Sequence, residues 1–137
     1  MTLTDLEHLK KSAAHRAVEF VQNGMIVGLG TGSTAKHMIR ALGEKVRAGM
    51  KIKGMPTSAE TATLAREVGI SLLDTENRWE IDVAIDGADQ VDPQFNLIKG
   101  GGGALLKEKI VAASAKQFIV MVDHTKQVAV LGGTFPL

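Results

Sequence analysis

The feature that most constrains the fold is an alternation between short apolar runs and longer stretches of helical periodicity. Strands are predicted at about 25–27, 51–55, 70–73, 81–85 and 117–122, with a short sixth at 128–131. Helices are predicted at about 4–22, 35–46, 57–68 and 104–115. Strands that alternate with helices of this length are typical of βαβ units. The pattern therefore predicts an α/β fold, a doubly wound, mostly parallel sheet with helices on both faces, Rossmann-like.

Local signals predict where two of the helices begin. Residues 4–7 and 57–60 both have the pattern of a capping box, with a hydroxyl residue followed three positions later by glutamate. Asn23 and Gly24 are expected to end the first helix. Its buried face is predicted to consist of Leu6, Leu9, Ala13, Ala17 and Phe20.

Composition narrows the class of protein. A length of 137 residues suits one domain with its own core, and a net charge of +1 does not favour a nucleic-acid surface. The absence of cysteine excludes disulfides and thiolate metal ligands. No apolar run is long enough for a membrane span. We therefore expect a cytoplasmic protein whose partner is a small molecule.

The stretch DGADQVDPQFNLIKGGGGALLKE, at residues 86–108, concentrates ionisable groups and glycines. Asp86 and Asp89 follow a predicted strand, then come Lys99, four glycines at 100–103, and Glu108 early in a predicted helix. Carboxylates and a lysine can act as acids and bases, and bare N–H groups at a helix start can bind an anion. This stretch predicts the reaction site. The alternative is that the aspartates only form turns and that Lys99 is a solvated loop lysine.

Glu108 stands on a helix face made of small apolar residues, with Ala104, Val111 and Ala112 one turn away. A carboxylate there should be partly desolvated, so its pKa should rise. The alternative is a surface glutamate paired with Lys107 or Lys109.

The sequence GLGTGST, at residues 28–34, lies between a predicted strand and a predicted helix. It is not a dinucleotide fingerprint, because Ser33 stands where the third glycine would be and no acidic residue follows the second strand. It does suit a small phosphate, with hydroxyls from Thr31, Ser33 and Thr34. The alternative is a tight turn in which Ser33 or Thr34 caps the helix.

The four histidines have no metal-ligand spacing, so no metal site and no cofactor are expected. His8 and His15 are expected at the surface. Asp123 and His124 are a weaker acid–base candidate than Glu108.

Taken together, GLGTGSTA, DGADQVD, LIKGGGGALLKEKI and HTKQV resemble the motifs of type A ribose-5-phosphate isomerase, in the family's order. The resemblance implies an enzyme of the pentose phosphate pathway. It would interconvert ribose 5-phosphate and ribulose 5-phosphate through an enediolate, without metal or cofactor, as a homodimer or higher oligomer.

The resemblance also implies roles for individual residues. Glu108 would be the base, Asp86 and Asp89 would handle hydroxyl protons and ring opening, and Lys99 would stabilise charge developing on oxygen. The implied substrate contacts are Thr31, Gly32, Ser33, Thr34, Asp86, Gly87, Ala88, Asp89, Lys99, Gly100, Gly101, Gly102, Lys126 and Lys10.

Two departures from the family pattern are expected to matter. Gln90 stands where the family usually has glutamate after DGAD. Residues 1–137 are expected to form a single catalytic α/β domain, without the family's second, smaller domain and returning C-terminal segment. An exposed apolar flank is predicted where that part would dock.

Two other functions are alternatives to an isomerase. A non-catalytic sugar-phosphate sensor on a similar fold would need the phosphate loop but not the base. A nicotinamide-dependent oxidoreductase is disfavoured by the missing ribose-binding acid.

Overall fold

The computed structural model describes residues 2–73, 80–101 and 103–133. Most of the predicted polar connection at 74–80 therefore lies outside the described residues, as do Gly102 and the last four positions. The elements are α1 (Leu3–Val18), β1 (Ile26–Leu29), α2 (Ser33–Arg47), β2 (Lys53–Pro56), α3 (Ala59–Glu67), β3 (Ser71–Leu72), β4 (Ile81–Gly87), β5 (Gln90–Val91), β6 (Leu97–Ile98), α4 (Leu105–Ser114), β7 (Ala115–Met121) and a 3₁₀ turn (His124–Lys126).

Five strands form one sheet in the order β3-β2-β1-β4-β7, and every pairing in it is parallel. The predicted α/β fold is thus confirmed. The strand order reverses between β1 and β4, where Val27 pairs with Val83 and Leu29 with Ile85. In sheets of this kind, ligands bind at that reversal, beyond the carboxyl ends of the two strands. The two loops that the sequence singled out, after β1 and after β4, lie there.

Side chains of β4 contribute to two separate core clusters. Val83 and Ile85 pack into the larger core cluster, which includes residues of α1, α2 and α3. Ile81 and Ala84 pack into a smaller cluster with Val111 of α4. Burial of such side chains on both faces stabilises the sheet by roughly 1.5–3 kcal/mol per large aliphatic residue.

Gly28 in β1 allows α4 to approach the sheet closely. A Cβ atom at this position would stand 2.5 Å from Cγ1 of Val111, inside van der Waals contact. The glycine pattern at 28–32, which the sequence linked to phosphate binding or a tight turn, is therefore partly a packing requirement.

The helix boundaries differ from the predictions by a few residues. Thr2, not Thr4, caps α1. Its hydroxyl accepts a hydrogen bond from the Asp5 N–H, and the Asp5 carboxylate accepts one from the Thr2 N–H. The helix ends at Val18, so Phe20 lies beyond it and is 45% exposed rather than buried. Ser58 caps α3 by accepting from the Thr61 N–H, one position after the predicted capping box.

The strand predictions need two corrections. Residues 128–131 form no strand, and Val128 makes a single backbone bond to the carbonyl of Val91. The antiparallel hairpin of β5 and β6 was not predicted, because each of its strands has only two residues. Asp92 organises its turn by accepting from the N–H groups of Gln94 and Asn96.

Candidate active site

A cleft of about 140 Å³ opens at the reversal point of the sheet. Every substrate contact implied by the sequence resemblance lines it, except Gly102, which lies outside the described residues. The lining residues are Lys10, Thr31, Gly32, Ser33, Thr34, Ala35, Asp86, Gly87, Ala88, Asp89, Lys99, Gly100, Gly101, Glu108 and Lys126.

Asp86 belongs to β4 and is only 4% exposed. Its Oδ1 accepts from the N–H groups of Thr31, at 3.2 Å, and Gly87, at 2.8 Å. Its Oδ2 lies 3.2 Å from the Nζ atom of Lys99. Because it is a strand residue with fixed partners, Asp86 is not the turn-former of the alternative interpretation.

Lys99 follows the β5–β6 hairpin and reaches back under the β4 loop. Its Nζ donates to the carbonyl of Gly87 at 2.5 Å and lies 3.5 Å from Oε1 of Glu108. The side chain is 11% exposed, so it is not a solvated loop lysine. A buried ammonium between two carboxylates provides a fixed positive charge beside the cleft.

Glu108 lies near the start of α4 and is 7% exposed. Burial raises the pKa of its carboxyl, and the negative charge of Asp86 raises it further, while Lys99 opposes both effects. The upward pKa shift expected from the helix position is therefore confirmed. Lys107 and Lys109 are exposed, and the lysine that approaches Glu108 is Lys99, so the alternative of a surface ion pair with Lys107 or Lys109 is excluded.

Asp89 holds the glycine-rich segment in place. Its Oδ2 accepts from the Gly101 N–H at 2.8 Å, and a Cβ at Gly101 would stand 2.8 Å from Oδ1. Gly100 has a φ of +90°, which favours glycine. The partly buried carboxylate of Asp89 thus reaches across twelve positions instead of bonding within its own turn.

The N-terminus of α2 also opens onto the cleft. Gly32 caps the helix at φ +113°, and no side chain caps it, which excludes the alternative in which Ser33 or Thr34 is the helix cap. The first N–H groups of a helix attract anions when they have no other partner. Lys10 of α1 donates to the Ser33 hydroxyl at 3.1 Å, and Lys126 lines the same cleft from the 3₁₀ turn.

The hydroxyl of Thr31 is engaged elsewhere, although Thr31 lines the cleft. Its Oγ1 lies 2.8 Å from that of Thr57, 2.9 Å from Oγ of Ser58 and 3.2 Å from Oγ1 of Thr61. Thr57 and Thr61 donate their own protons to backbone carbonyls. The hydroxyl proton of Thr31 therefore points toward α3. Thr31 lines the cleft with its backbone atoms.

Gly30, Thr57 and Thr61 are site-supporting residues that the sequence did not reveal. A Cβ at Gly30 would stand 2.1 Å from Oδ1 of Asp86, so the carboxylate occupies the space that this glycine leaves free. Positions 30 and 86 are far apart in sequence, and no local pattern signals such a contact.

Asp123 and His124 do not form an acid–base pair. Asp123 is buried and accepts from the N–H and hydroxyl of Thr125, so it caps the 3₁₀ turn. Burial acts to raise its pKa, but the Thr125 hydrogen bonds and the charges of Lys126 and Lys10 outweigh it and hold the pKa below its ordinary value. His124 is exposed and does not line the cleft.

Gln90 is buried, and its Oε1 accepts from the Gly132 N–H at 2.9 Å. It therefore tethers the hairpin to the C-terminal turn and does not line the cleft. A neutral amide accepts this hydrogen bond without placing a negative charge at a buried position.

Within 2–73, 80–101 and 103–133, no group of three or more histidine, aspartate or glutamate side chains is arranged to hold a metal ion. In the same ranges, no helix is long and apolar enough to cross a membrane.

Fold and site together define an α/β protein with a carboxylate–lysine cluster at the reversal point of its sheet and a helix N-terminus without a side-chain cap in the same cleft. The family model of ribose 5-phosphate isomerase A (phosphoriboisomerase A) matches residues 53–137. The chain belongs to this family.

Individual relatives agree with the family assignment. Ribose-5-phosphate isomerase A of Nitrobacter hamburgensis is 55% identical over 132 residues, which is 96% of this chain and 56% of that protein. A solved D-ribose-5-phosphate isomerase in complex with phospho-erythronic acid superposes with a TM-score of 0.92 at 47% identity, covering 96% of this chain and 58% of the other. Ribose 5-phosphate isomerase A of Methanocaldococcus jannaschii gives 0.91 at 45% identity, with 95% and 58% covered. The chain thus spans little more than half the length of these relatives.

Proposed function

We propose that this chain is the catalytic domain of a ribose-5-phosphate isomerase, which interconverts D-ribose 5-phosphate and D-ribulose 5-phosphate in the pentose phosphate pathway. The observation that carries the proposal is the buried cluster of Glu108, Lys99 and Asp86 in a member of this family. The proposal includes a cytoplasmic, homodimeric enzyme whose second, smaller domain lies outside these 137 residues.

Glu108 is the base in the proposed reaction. An aldose becomes a ketose when a proton leaves C2 and a proton is added at C1, so one base that reaches both carbons is sufficient. Its raised pKa makes Glu108 a stronger base than an ordinary glutamate. The small residues around it leave room for the sugar.

Lys99 stabilises the intermediate. When the C2 proton leaves, electrons move onto the C1 carbonyl oxygen and give an enediolate, and a fixed ammonium beside that oxygen lowers the barrier. Its position between Asp86 and Glu108 supports this role, because the ion pairs hold the ammonium in place before the substrate arrives.

Asp86 and Asp89 handle hydroxyl protons. Isomerisation also requires the O2 proton to move to O1, and the cyclic sugar must open first, so carboxylates near the hydroxyls are needed. Asp86 is close to Glu108 and Lys99 and suits the transfer between O1 and O2. Asp89, nearer the glycine segment, suits ring opening.

The phosphate is placed at the N-terminus of α2, between Lys10 and Lys126. Uncapped N–H groups, two ammonium groups and the hydroxyls of Ser33 and Thr34 give an anion site in the same cleft as the carboxylate cluster. That arrangement suits a substrate with an anion at one end and a carbonyl at the other.

The proposal is tested by incubating the purified protein with ribose 5-phosphate in D₂O and following the product by NMR. We expect ribulose 5-phosphate that carries solvent deuterium at C1. Phospho-erythronic acid should compete with the substrate, because its carboxylate resembles the charge of the enediolate. A protein that binds phospho-erythronic acid but never turns over ribose 5-phosphate would instead be a sugar-phosphate sensor.

A further inference from the structure

Two buried hydroxyls at the start of α3 face the loop that follows β1. Thr57 is 3% exposed and Thr61 4%. A buried hydroxyl is costly unless it is hydrogen-bonded, so its partners indicate what it supports. Thr57 donates to the carbonyl of Leu29 and Thr61 to the carbonyl of Gly30, each at 2.8 Å.

These carbonyls belong to the backbone segment that holds Asp86. The Gly30 N–H donates to the Ile85 carbonyl at 2.9 Å, and the Thr31 N–H donates to Oδ1 of Asp86 at 3.2 Å. The Asp86 carboxylate also fills the space where a Cβ of Gly30 would stand. The segment is therefore fixed by α3 on one side and packed against Asp86 on the other, with little space between them.

We propose that Thr61, together with Thr57, is a positioning residue of the active site: it sets the backbone of residues 29–31 so that Asp86 stays beside Lys99 and Glu108. Neither threonine lines the cleft, so neither contacts the substrate. Both act through the backbone. The inference extends the proposed function, and its activity readout rests on that function.

The kinetic test uses Thr61→Val, which keeps the side-chain shape and leaves the Gly30 carbonyl without its hydroxyl partner. We expect kcat to fall by about ten- to a hundredfold, because small displacements of reacting groups cost up to about a hundredfold, while KM changes less than about threefold. Thr61→Ser retains the hydroxyl and should stay within about threefold of the parent in kcat.

Thr63→Val is the matched control. It lies on the same helix, is exposed, and bonds only within the helix, to the carbonyl of Ala59 at 3.0 Å. It should leave kcat and KM unchanged. If Thr63→Val lowered kcat as much as Thr61→Val, the effect would reflect general weakening of α3 and the proposal would be overturned.

A second readout does not depend on turnover. The charge of Asp86 is one cause of the raised pKa of Glu108, after burial, so moving Asp86 away should lower the Glu108 titration midpoint. Carbon-13 NMR of the Glu108 carboxyl should give this lower midpoint in Thr61→Val and the parent midpoint in Thr63→Val.

The outcomes separate the two proposals. A parent protein without isomerase activity contradicts the proposed function, and the NMR titration still decides the role of Thr61. Parent-like kcat together with a parent-like Glu108 midpoint in Thr61→Val overturns the positioning role. If Thr61→Val does not fold, Thr57→Val is measured by the same two criteria, since it removes the neighbouring bond to Leu29.

Discussion

The carboxylate of Glu108 is kept from water on a helix that packs against the sheet. Its pKa is raised above the ordinary 4.5 by burial and by Asp86, so the folded protein binds this proton more tightly than the unfolded chain does. The contribution of Glu108 to stability is therefore fully present below its unfolded pKa and is lost as pH rises through the folded pKa. The ionised Glu108 carboxylate, the proposed base, therefore makes the folded protein less stable at neutral pH than its protonated form would.

Glu108→Gln should for this reason raise the melting temperature at pH 8. The gain should shrink as pH falls toward 4, because the parent carboxyl then becomes neutral too, and Asp86 still pairs with Lys99 in the variant. Thermal unfolding followed by circular dichroism at several pH values measures it. Glu44→Gln, at an exposed position of α2, is the control and should show no such trend. A Glu108→Gln variant that is less stable than the parent at pH 8 would contradict this expectation.

Gly30 matters because of what fills the space beside it. Gly30→Ala places a methyl group 2.1 Å from the present position of Asp86 Oδ1, so the carboxylate must move. We expect isomerase activity to fall by about a hundredfold or more. Gly133→Ala, where a Cβ has open space around it, should keep parent activity. Equal activities of the two variants in a steady-state assay would show that the position of Asp86 is not critical.

At this scale the sequence was most informative where chemistry and local spacing coincide. Glu108 could be predicted because helical periodicity alone puts it on a small apolar face. Gly30 and Thr61 could not, since their roles depend on contacts across the sheet or with another helix. The partners of the Thr31 hydroxyl could not be predicted either, because they lie far along the chain, at and near the start of α3.

The N-terminus of α2 and the two lysines near it form the proposed anion-binding element. Lys10 comes from α1 and Lys126 from the 3₁₀ turn, so three elements meet around one expected phosphate. A glycine at the cap leaves the first N–H groups of the helix without a side-chain partner. In the proposed function this element contributes to binding affinity, whereas the carboxylate cluster contributes to rate.

Lys10→Met tests this division. A hydrogen bond to a charged group contributes about 1.5–3 kcal/mol, so KM for ribose 5-phosphate should rise by roughly tenfold or more while kcat changes little. Initial rates over a range of substrate concentrations measure both. Lys11→Met, at the next and exposed position of α1, should leave KM unchanged. A fall in kcat at constant KM would place Lys10 in the chemistry instead.

The elements themselves could largely be predicted, because four helices and five sheet strands have clear periodicity. Their ends were less certain. Residues 4–7 and 2–5 both have a threonine followed three positions later by an acid, and the structure uses the earlier pair. The β5–β6 hairpin is too short to have a periodic pattern, although Lys99 depends on it for its position.

Over the whole molecule, the two faces of the sheet are covered unequally. The larger core cluster lies on the side of α1, α2 and α3, whereas Val111 is the α4 residue in the smaller one. Leu106 is 76% exposed and Ile110 51%, one turn apart on α4. Phe118 of β7 is 36% exposed. Leu106 and Ile110 line a groove with Thr57, whereas Phe118 lines a separate groove with Leu105. Leu106 and Ile110 therefore form an apolar flank on α4, and an exposed apolar flank was predicted from the sequence.

The isolated 137-residue chain should associate through this flank. Burying exposed apolar surface is favourable, and the 44% of the Nitrobacter hamburgensis relative that this chain does not span could cover such a surface. Sedimentation velocity should show association that increases with protein concentration and weakens in Leu106→Glu. Lys107→Glu, exposed on the same helix, controls for added charge. A monomer at all concentrations would contradict the prediction.

We propose that Glu108, whose carboxylate lies beside the Lys99 ammonium that also pairs with Asp86, is the base of an aldose–ketose isomerase. The most direct test compares kcat for ribose 5-phosphate in the parent, in Glu108→Gln and in Glu44→Gln. We expect kcat to fall by about a hundredfold to ten-thousandfold in Glu108→Gln alone, with phospho-erythronic acid binding retained. Parent-like turnover in Glu108→Gln would contradict it and would assign the proton transfer to another group.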